Sequence, residues 1–242
     1  MIGNFFHTAL YTPLYNGLIL LTDVLPGANI GLAVIAFTII VRLILFPLSK
    51  KAVQTQMQMR VVQPELAEIK KRYEKDPQEY AKKTMEIYRT NGINPFASIF
   101  FLLLQLPIII TLYYVFYRAG FPTIHTELLY SFIEVPTHVS MFFLGLDIAK
   151  SSIILAILAA FTTFVQTKLT LPPAPKKTDE RSFTNDLARS MNVQMTYVMP
   201  VIIFFIAWKI AGVVALYWFT SNLFTIGQEL YMRKVGIKKH DA

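Results

Sequence analysis

One arginine stands where its charge could act inside a membrane. Arg42 interrupts an apolar stretch that is free of charge from residue 24 to residue 41 and resumes as far as Leu48. A charge within a membrane span is energetically expensive and usually serves function, and a guanidinium at this depth would attract acidic groups. The alternative is that Arg42 reaches the headgroups along its flexible stem, because Ser49 already marks the end of the span.

Polar side chains recur at helical spacing in the apolar stretches, including the one that holds Arg42. In the last stretch four of them lie at i, i+4, i+7 and i+11 and therefore share one face. Packing between helices would explain any single stripe, but the stripes together indicate a polar surface inside the membrane. The set comprises Thr38 and Ser49, then Ser98 and Gln105, then Thr163, Gln166, Thr167 and Thr170, then Asn192, Gln194 and Thr196, and finally Trp218, Asn222, Thr225 and Glu229.

Catalytic chemistry has little support in the sequence. The four histidines lie outside the strong apolar stretches, and Glu229 is the one carboxylate within them. An intramembrane aspartyl protease needs two buried carboxylates and a zinc protease needs an HExxH ligand set, and neither pattern is present. We therefore expect neither an enzyme nor a cofactor or metal site.

Composition places these residues in a membrane protein. The chain has 242 residues, 54% hydrophobic and 16% charged, whereas soluble domains are nearer one quarter charged. This balance excludes disorder and a nucleic-acid-binding tail. The absence of cysteine excludes a disulfide scaffold, a thiolate metal site, a cysteine nucleophile and a cysteine-linked lipid anchor. Five stretches are long enough to cross a bilayer.

The distribution of lysine and arginine predicts the orientation of these five spans. Of the 23 basic residues, 19 fall on one side, and the positive-inside rule makes that side the cytoplasm. The N-terminus is then outside and the C-terminus inside. The net charge of +8 is mainly a topology signal. In this orientation the polar residues lie in the cytoplasmic half of the spans, which predicts a blind cavity open to the cytoplasm.

The remaining segments differ in character. Residues 1–25 favour an amphipathic helix lying in the membrane interface, with a sixth span as the alternative, and show no cleaved signal peptide. Residues 50–93 predict a charged helical hairpin with Asp76 as N-cap, Pro77 in the first turn and Gly92 as a stop. It serves either as a docking arm or as a solvated linker. The predicted domains are thus the N-terminal helix at 1–25, spans at 26–49, 94–118, 150–170, 190–209 and 211–232, the hairpin at 50–93, an extracytoplasmic segment at 119–149, a cytoplasmic loop at 171–189 and a tail at 233–242.

Four stretches resemble the YidC/Oxa/Alb family of membrane protein insertases. They are GLAVIAFTIIVRLILFPLSKKAVQTQMQMRVVQPEL, MEIYRTNGINPFASIFFLLLQLPIIITLYYVF, FTTFVQTKL and MPVIIFFIAWKIAGVVALYWFTSNLFTIGQ. The first carries the single arginine ahead of an LFPLS-like end, and the second carries an NP turn and an LLQ-P-I helix. Together they cover nearly the whole chain in the family's order.

The resemblance implies an all-α fold with five transmembrane helices around a polar groove open to the cytoplasm and to lipid. It also implies the N-terminal interfacial helix and the cytoplasmic hairpin. It assigns the key positive charge to Arg42 and groove-lining roles to Gln105, Gln166, Trp218 and Asn222. A large extracytoplasmic domain, an acylated cysteine and a long basic tail, which some members have, find no counterpart here. Strong ribosome binding through the tail is therefore not expected.

The implied function is integration of nascent membrane proteins into the bacterial plasma membrane. Expected partners are these substrates and the lipid bilayer, with the ribosome and the Sec translocon as possible partners. Neither a small-molecule substrate nor direct DNA binding is expected. Two other classes stay open at this point: a small-solute transporter or channel, which would conduct solutes, and a passive assembly scaffold, which would be indifferent to Arg42.

Overall fold

The computed structural model describes residues 7–74, 76–94, 110–111, 113–116, 123–171, 189–190 and 192–240. The N-terminal helix α1 covers Thr12–Val24 and follows a π-helical turn at His7–Tyr11. Its Tyr15, Leu18 and Ile19 are fully buried. They pack in the main core with helix α2, so the apolar face predicted for this helix is used for packing against the bundle.

Helix α2 covers Ile30–Ile44 and carries Arg42 in its last turn. The Asn29 side chain begins the helix by accepting a hydrogen bond from the Leu32 N–H at 3.1 Å. Helix α3 begins at Phe46 after a bend of 66° and continues to Arg72. Pro47 explains the boundary, because proline is favoured in the first turn of a helix and disfavoured within one. Helix α2 thus ends at Ile44, ahead of residue 49, the predicted end of the first span.

Helices α3 and α4 pack against each other as a helical hairpin. Helix α4 covers Pro77–Thr90, and Asp76 caps it by accepting from the Glu79 N–H at 3.0 Å. Gly92 follows with φ of 64°, a left-handed conformation that glycine adopts without strain. These features confirm the predicted cap and stop. A small core of Val62, Ile87 and Ile93 holds the hairpin together. Helix α3 runs through Pro64 without a break.

Residues 123–152 lead into the next long helix, which begins at Ile153. They include a short 3₁₀ turn at Thr126–Leu128 and a two-stranded antiparallel hairpin, β1 at Phe142–Phe143 and β2 at Leu146–Asp147. Phe142 pairs with Asp147, and Phe143 pairs with Leu146.

The C-terminal half supplies the rest of the bundle. Helix α5 covers Ile153–Thr170, helix α6 covers Met199–Lys209 after a π-helical turn at Gln194–Val198, and helix α7 covers Gly212–His240. Helix α7 packs against both α5 and α2, and α6 packs against α5. Because α7 continues to His240, residues 233–240 of the segment predicted as a tail extend the helix.

Helices α2, α5 and α6 also carry exposed apolar side chains, in addition to those that they bury in the core. Among the described residues, α5 is long and apolar enough to cross a membrane, with a mean hydropathy of 1.7, and the bent pair α2 and α3 passes the same test together. Residues 194–209 form a shorter apolar helix. Clusters of exposed apolar side chains mark contact with a membrane or a partner. They are formed by Ile39, Ile40, Leu43 and Ile44 on α2, Ile153, Ile154, Ile157 and Phe161 on α5, and Val201, Ile202, Phe205 and Ile206 on α6.

The predicted second span at 94–118 lies largely outside the described residues, which are helical at 110–111 and 113–116. Val115 and Phe116 belong to the main core. The predicted cytoplasmic loop at 171–189 lies outside the described residues except at its two ends.

Candidate functional site

Arg42 is buried between helices α2 and α7, with 9% of its surface exposed. Its Nε donates a hydrogen bond to the Ser221 hydroxyl at 3.1 Å, and its Nη2 donates to the same oxygen. Helix α7 brings Ser221 to this position because the two helices pack directly against each other. The guanidinium is therefore fixed by a neutral acceptor on a neighbouring helix.

Neutralisation of Arg42 by a carboxylate is not seen. Among the residues that the structure describes, no carboxylate oxygen lies within 4.0 Å of the guanidinium. A hydroxyl satisfies donors but does not compensate a charge. Within the described part of the chain, the partner of the Arg42 guanidinium is therefore a neutral hydroxyl.

Asn222, the next residue on α7, points to a different neighbour. Its Nδ2 donates to Thr163 Oγ1 at 2.8 Å and lies 3.2 Å from Thr162 Oγ1 and 3.4 Å from the Ala159 carbonyl. All three acceptors belong to α5. Asn222 is buried, so its amide nitrogen joins α7 to α5 while the adjacent Ser221 joins α7 to α2.

The other predicted groove residues are placed less tightly. Gln166 on α5 and Trp218 on α7 are half-buried, and Trp218 packs against the main core. Gln105 lies outside the described residues. Thr38, one turn before Arg42, is buried and donates to the Val34 carbonyl of its own helix at 2.6 Å.

Helix α7 makes further polar contacts beyond Arg42, toward its C-terminal end. Gln228 Nε2 donates to Ser49 Oγ at 2.7 Å, which links α7 to the first turn of α3. One turn away, Arg233 forms an ion pair with the buried Glu229 at 3.1 Å and also donates to the Leu169 carbonyl. These contacts tie α7 to α3 and to the end of α5.

Arg60 of helix α3 reaches the same place. Its Nη2 donates to the Leu169 carbonyl and, at 2.8 Å, to the Leu171 carbonyl. It thereby caps the end of α5, where helical carbonyls have no partners of their own. Burial and then the positive charge of Arg233 lower the pKa of Arg60 from its ordinary value, whereas Glu229 acts in the opposite direction. Arg60, Glu229 and Arg233 with the two carbonyls are called the hairpin junction below.

The hairpin junction also has unused hydrogen-bonding capacity. Arg60 Nε and Glu229 Oε2 are buried without a hydrogen-bond partner among the described residues. Groups of three His, Cys, Asp or Glu side chains that could hold a metal ion are absent from the described part of the chain.

Sequence reasoning missed Ser221, which holds Arg42. The stripe through Trp218, Asn222 and Thr225 passes on the adjacent face of α7, so Ser221 falls outside it. The signal that could have identified Ser221 is the need of a buried guanidinium for an acceptor on a neighbouring helix. The contact between Ser49 and Gln228 was also missed, because Gln228 is not one of the residues of the predicted stripe on α7.

Comparison with known proteins identifies the family. The sequence model of a family described as "60Kd inner membrane protein" matches residues 21–240. The chain belongs to this family, the YidC/Oxa/Alb family. The resemblance stated from the sequence is thereby confirmed.

Individual relatives of the YidC/Oxa/Alb family extend the match. The chain is 33% identical over 217 residues to membrane protein insertase YidC of Clostridium tetani, and the aligned region covers 90% of this chain and 87% of the relative. It is 34% identical over 213 residues to membrane protein insertase YidC of Oceanobacillus iheyensis, which covers 86% and 76%. It is 29% identical over 222 residues to membrane protein insertase MisCA of Bacillus subtilis, which covers 89% and 75%.

Proposed function

We propose that this chain is a membrane protein insertase that integrates nascent membrane proteins into the bacterial plasma membrane. Membership in the YidC/Oxa/Alb family and the names of the relatives support the general role. The observation that carries the mechanism is the buried Arg42, which is hydrogen-bonded to a neutral hydroxyl and has no carboxylate within 4.0 Å among the described residues.

The groove is the polar interior around Arg42, open to the cytoplasm and to lipid. In the proposed fold five transmembrane helices surround it, the N-terminus is outside and the C-terminus is inside. Gln105, Gln166 and Trp218 would line the groove, and Asn222 would hold the wall between α5 and α7. The positive-inside distribution of lysine and arginine supports this orientation.

Arg42 acts first on the polar segment that a substrate must translocate. An acidic side chain of that segment is attracted to the guanidinium, which keeps its charge because it is an arginine. Arg42 can transfer its two N–H donors from the Ser221 hydroxyl to a carboxylate, since a charged acceptor forms a stronger hydrogen bond than a hydroxyl. The bound segment thus exchanges part of its hydration for polar side chains, which lowers the free energy of bringing it into the membrane.

The length of α2 makes the remaining barrier thin. Its 15 residues span about 22 Å at helical rise, whereas the hydrocarbon core of a bilayer is about 30 Å thick. Arg42 lies in the last turn of α2, so the apolar distance beyond it is shorter still. The apolar helix of the substrate then moves into lipid, driven by burial of its own surface. No covalent step and no cofactor is needed.

The hairpin of α3 and α4 would receive the substrate or dock a ribosome or the Sec translocon. Its attachment through Arg60 to the end of α5 supports such a role, because this end of α5 faces the cytoplasm in the proposed orientation.

The experiment uses a single-spanning substrate protein with a short acidic outer tail, called the client below. It measures integration of this client into liposomes that contain the insertase. Protease protection of the tail reports integration, and wild type, Arg42→Lys and Arg42→Ala are compared. We expect Arg42→Lys to keep integration and Arg42→Ala to lose it. Equal integration by all three would show that Arg42 only anchors the chain at the headgroups.

Matched controls separate the competing functions. Arg42→Ala must remain cooperatively folded at the temperature of the integration assay, so that loss of integration reports the charge and not unfolding. Solute flux through liposomes that contain the protein alone would favour a transporter or channel. Client binding without integration, indifferent to Arg42, would favour a scaffold.

A further inference from the structure

The β-hairpin between β1 and β2 has an unusual residue at its tip. The two-residue loop consists of Leu144 and Gly145, with φ of 49° and 79°. Positive φ at both positions is the pattern of a type I′ turn, which favours Asn-Gly or Asp-Gly. A leucine there is strained, because its Cβ approaches the following carbonyl oxygen.

The tip leucine does not recover this strain by packing inside the protein. Leu144 is 86% exposed and Phe142 is 64% exposed. Phe143 points the other way and packs on Gly31 of α2, where a Cβ would lie only 2.5 Å from the Phe143 ring. The hairpin therefore uses one face to attach itself to the bundle and presents two large apolar side chains on the other.

Backbone hydrogen bonds fix the hairpin at one end of the bundle. The Ile30 N–H donates to the Ser140 carbonyl at 3.0 Å, at the start of α2. The Gly212 N–H donates to the Lys150 carbonyl at 2.8 Å, and the Val213 N–H donates to the Ile148 carbonyl at 2.9 Å, at the start of α7. The tip is thus held beside the ends of two helices of the bundle.

The surface around these helix starts is also apolar. Leu32 in the first turn of α2 and Ile153 and Ile154 in the first turn of α5 are exposed. Lys150, whose side chain is largely exposed, stands at the same end and pairs with Asp147 at 3.0 Å. Apolar side chains next to an exposed ammonium suit the boundary between acyl chains and phosphate headgroups.

We propose that Phe142 and Leu144 insert into the acyl boundary of the leaflet at this end of the bundle, so that the hairpin anchors the bundle in lipid. In water the turn would favour asparagine at position 144, whereas a leucine gains free energy only where its exposed surface leaves water. The inference needs residence in the membrane and not insertase activity. That this leaflet is the outer one follows from the proposed orientation.

The test uses the absence of cysteine from the chain. Leu144→Cys is labelled with an environment-sensitive fluorophore in the full-length protein, in lipid nanodiscs that contain brominated phospholipids. We expect a blue-shifted emission, strong quenching by the bromolipids and weak quenching by aqueous iodide. Thr137→Cys, at an exposed polar position of the same segment, is the matched control and should show the reverse.

Three results would overturn the inference. They are equal iodide quenching at positions 144 and 137, absence of bromolipid quenching at position 144, and energy transfer between labels at position 144 of two copies, which would indicate a protein partner at the tip.

A second variant separates lipid contact from a purely structural role. Leu144→Asn relieves the strained turn, so the melting temperature in detergent should stay the same or rise. In the same variant a fluorophore on Phe142→Cys should lose bromolipid quenching, because the tip rises out of the acyl region. A melting temperature that falls, with unchanged quenching, would assign Leu144 a structural role alone.

Discussion

Replacing Ser221 by alanine separates the structural and the functional part of the Arg42 site. The variant Ser221→Ala removes the oxygen that accepts both Nε and Nη2 of the buried guanidinium. A hydrogen bond to a charged group contributes about 1.5–3 kcal/mol, and a buried donor left unsatisfied adds to the loss. Reorientation of the long side chain toward the groove would recover part of it. We therefore expect Ser221→Ala to lower the free energy of unfolding by about 1–3 kcal/mol.

The assay follows unfolding in detergent micelles by the fluorescence of the two tryptophans, Trp208 and Trp218. The matched control is Thr220→Val, which removes a buried hydroxyl from the adjacent position. That hydroxyl donates only to the Leu216 carbonyl of its own helix, at 2.8 Å, so the control should change stability by less than about 0.5 kcal/mol. Because the charge of Arg42 remains, integration of an acidic-tailed client should stay near the wild-type level.

Two results would refute this reasoning. If Ser221→Ala and Thr220→Val had the same stability, the hydroxyl would not hold the guanidinium. If Ser221→Ala abolished integration as completely as Arg42→Ala while the protein remained folded, the geometry of the Arg42–Ser221 pair, and not its charge, would determine activity.

Three further predictions test the framework around the site. Asn222→Leu should lower the free energy of unfolding by about 1 kcal/mol, as expected for polar contacts between helices in a membrane, and denaturation in micelles measures it. Arg60→Gln should raise amide hydrogen exchange in the hairpin, because it removes the donors that cap α5, whereas the exposed Lys71→Gln should leave exchange unchanged. Gly31→Ala should destabilise by about 1–3 kcal/mol through overpacking against a neighbouring aromatic ring, whereas Gly227→Ala, which has open space around the added Cβ, should not; thermal unfolding compares the two.

Each of these predictions has a result that contradicts it. Unchanged stability in Asn222→Leu would mean that its amide does not join α5 to α7. Equal exchange in Arg60→Gln and Lys71→Gln would show that Arg60 does not hold the α-helical hairpin at the hairpin junction. Equal melting temperatures for Gly31→Ala and Gly227→Ala would show that the β-hairpin does not pack closely on α2.

Local signals in the sequence were enough to predict the ends of the α-helical hairpin. Asp76 followed by Pro77 is a start signal whose physics is confined to one turn, and Gly92 is a stop signal of the same kind. The structure has both. The bend between α2 and α3 was missed because the apolar run continues to Leu48, although Pro47 marks the place where a new helix can begin.

Contacts between distant parts of the chain were beyond the reach of periodicity. Ser221 lies next to the predicted stripe on α7. Which side of that helix meets Arg42 depends on the packing of two distant helices, because Arg42 and Ser221 are 179 positions apart in the chain. The strands at 142–147 are two residues each, too short to show an alternating pattern. They are held by the backbone hydrogen bond from Ile30 of α2 to the preceding Ser140 and by the close approach of Phe143 to Gly31.

The most direct measurement of the central claim is a double-mutant cycle between Arg42 and an aspartate in the outer tail of a client. Integration into liposomes is measured for wild type and Arg42→Gln, each with the native client and with its Asp→Asn variant. The account predicts a coupling of about 1 kcal/mol or more between the two charges, so that Asp→Asn impairs integration by wild type and has little effect on integration by Arg42→Gln. Independent, additive losses would contradict the account, because they would show that the positive charge of Arg42 does not act on the acidic group of the substrate.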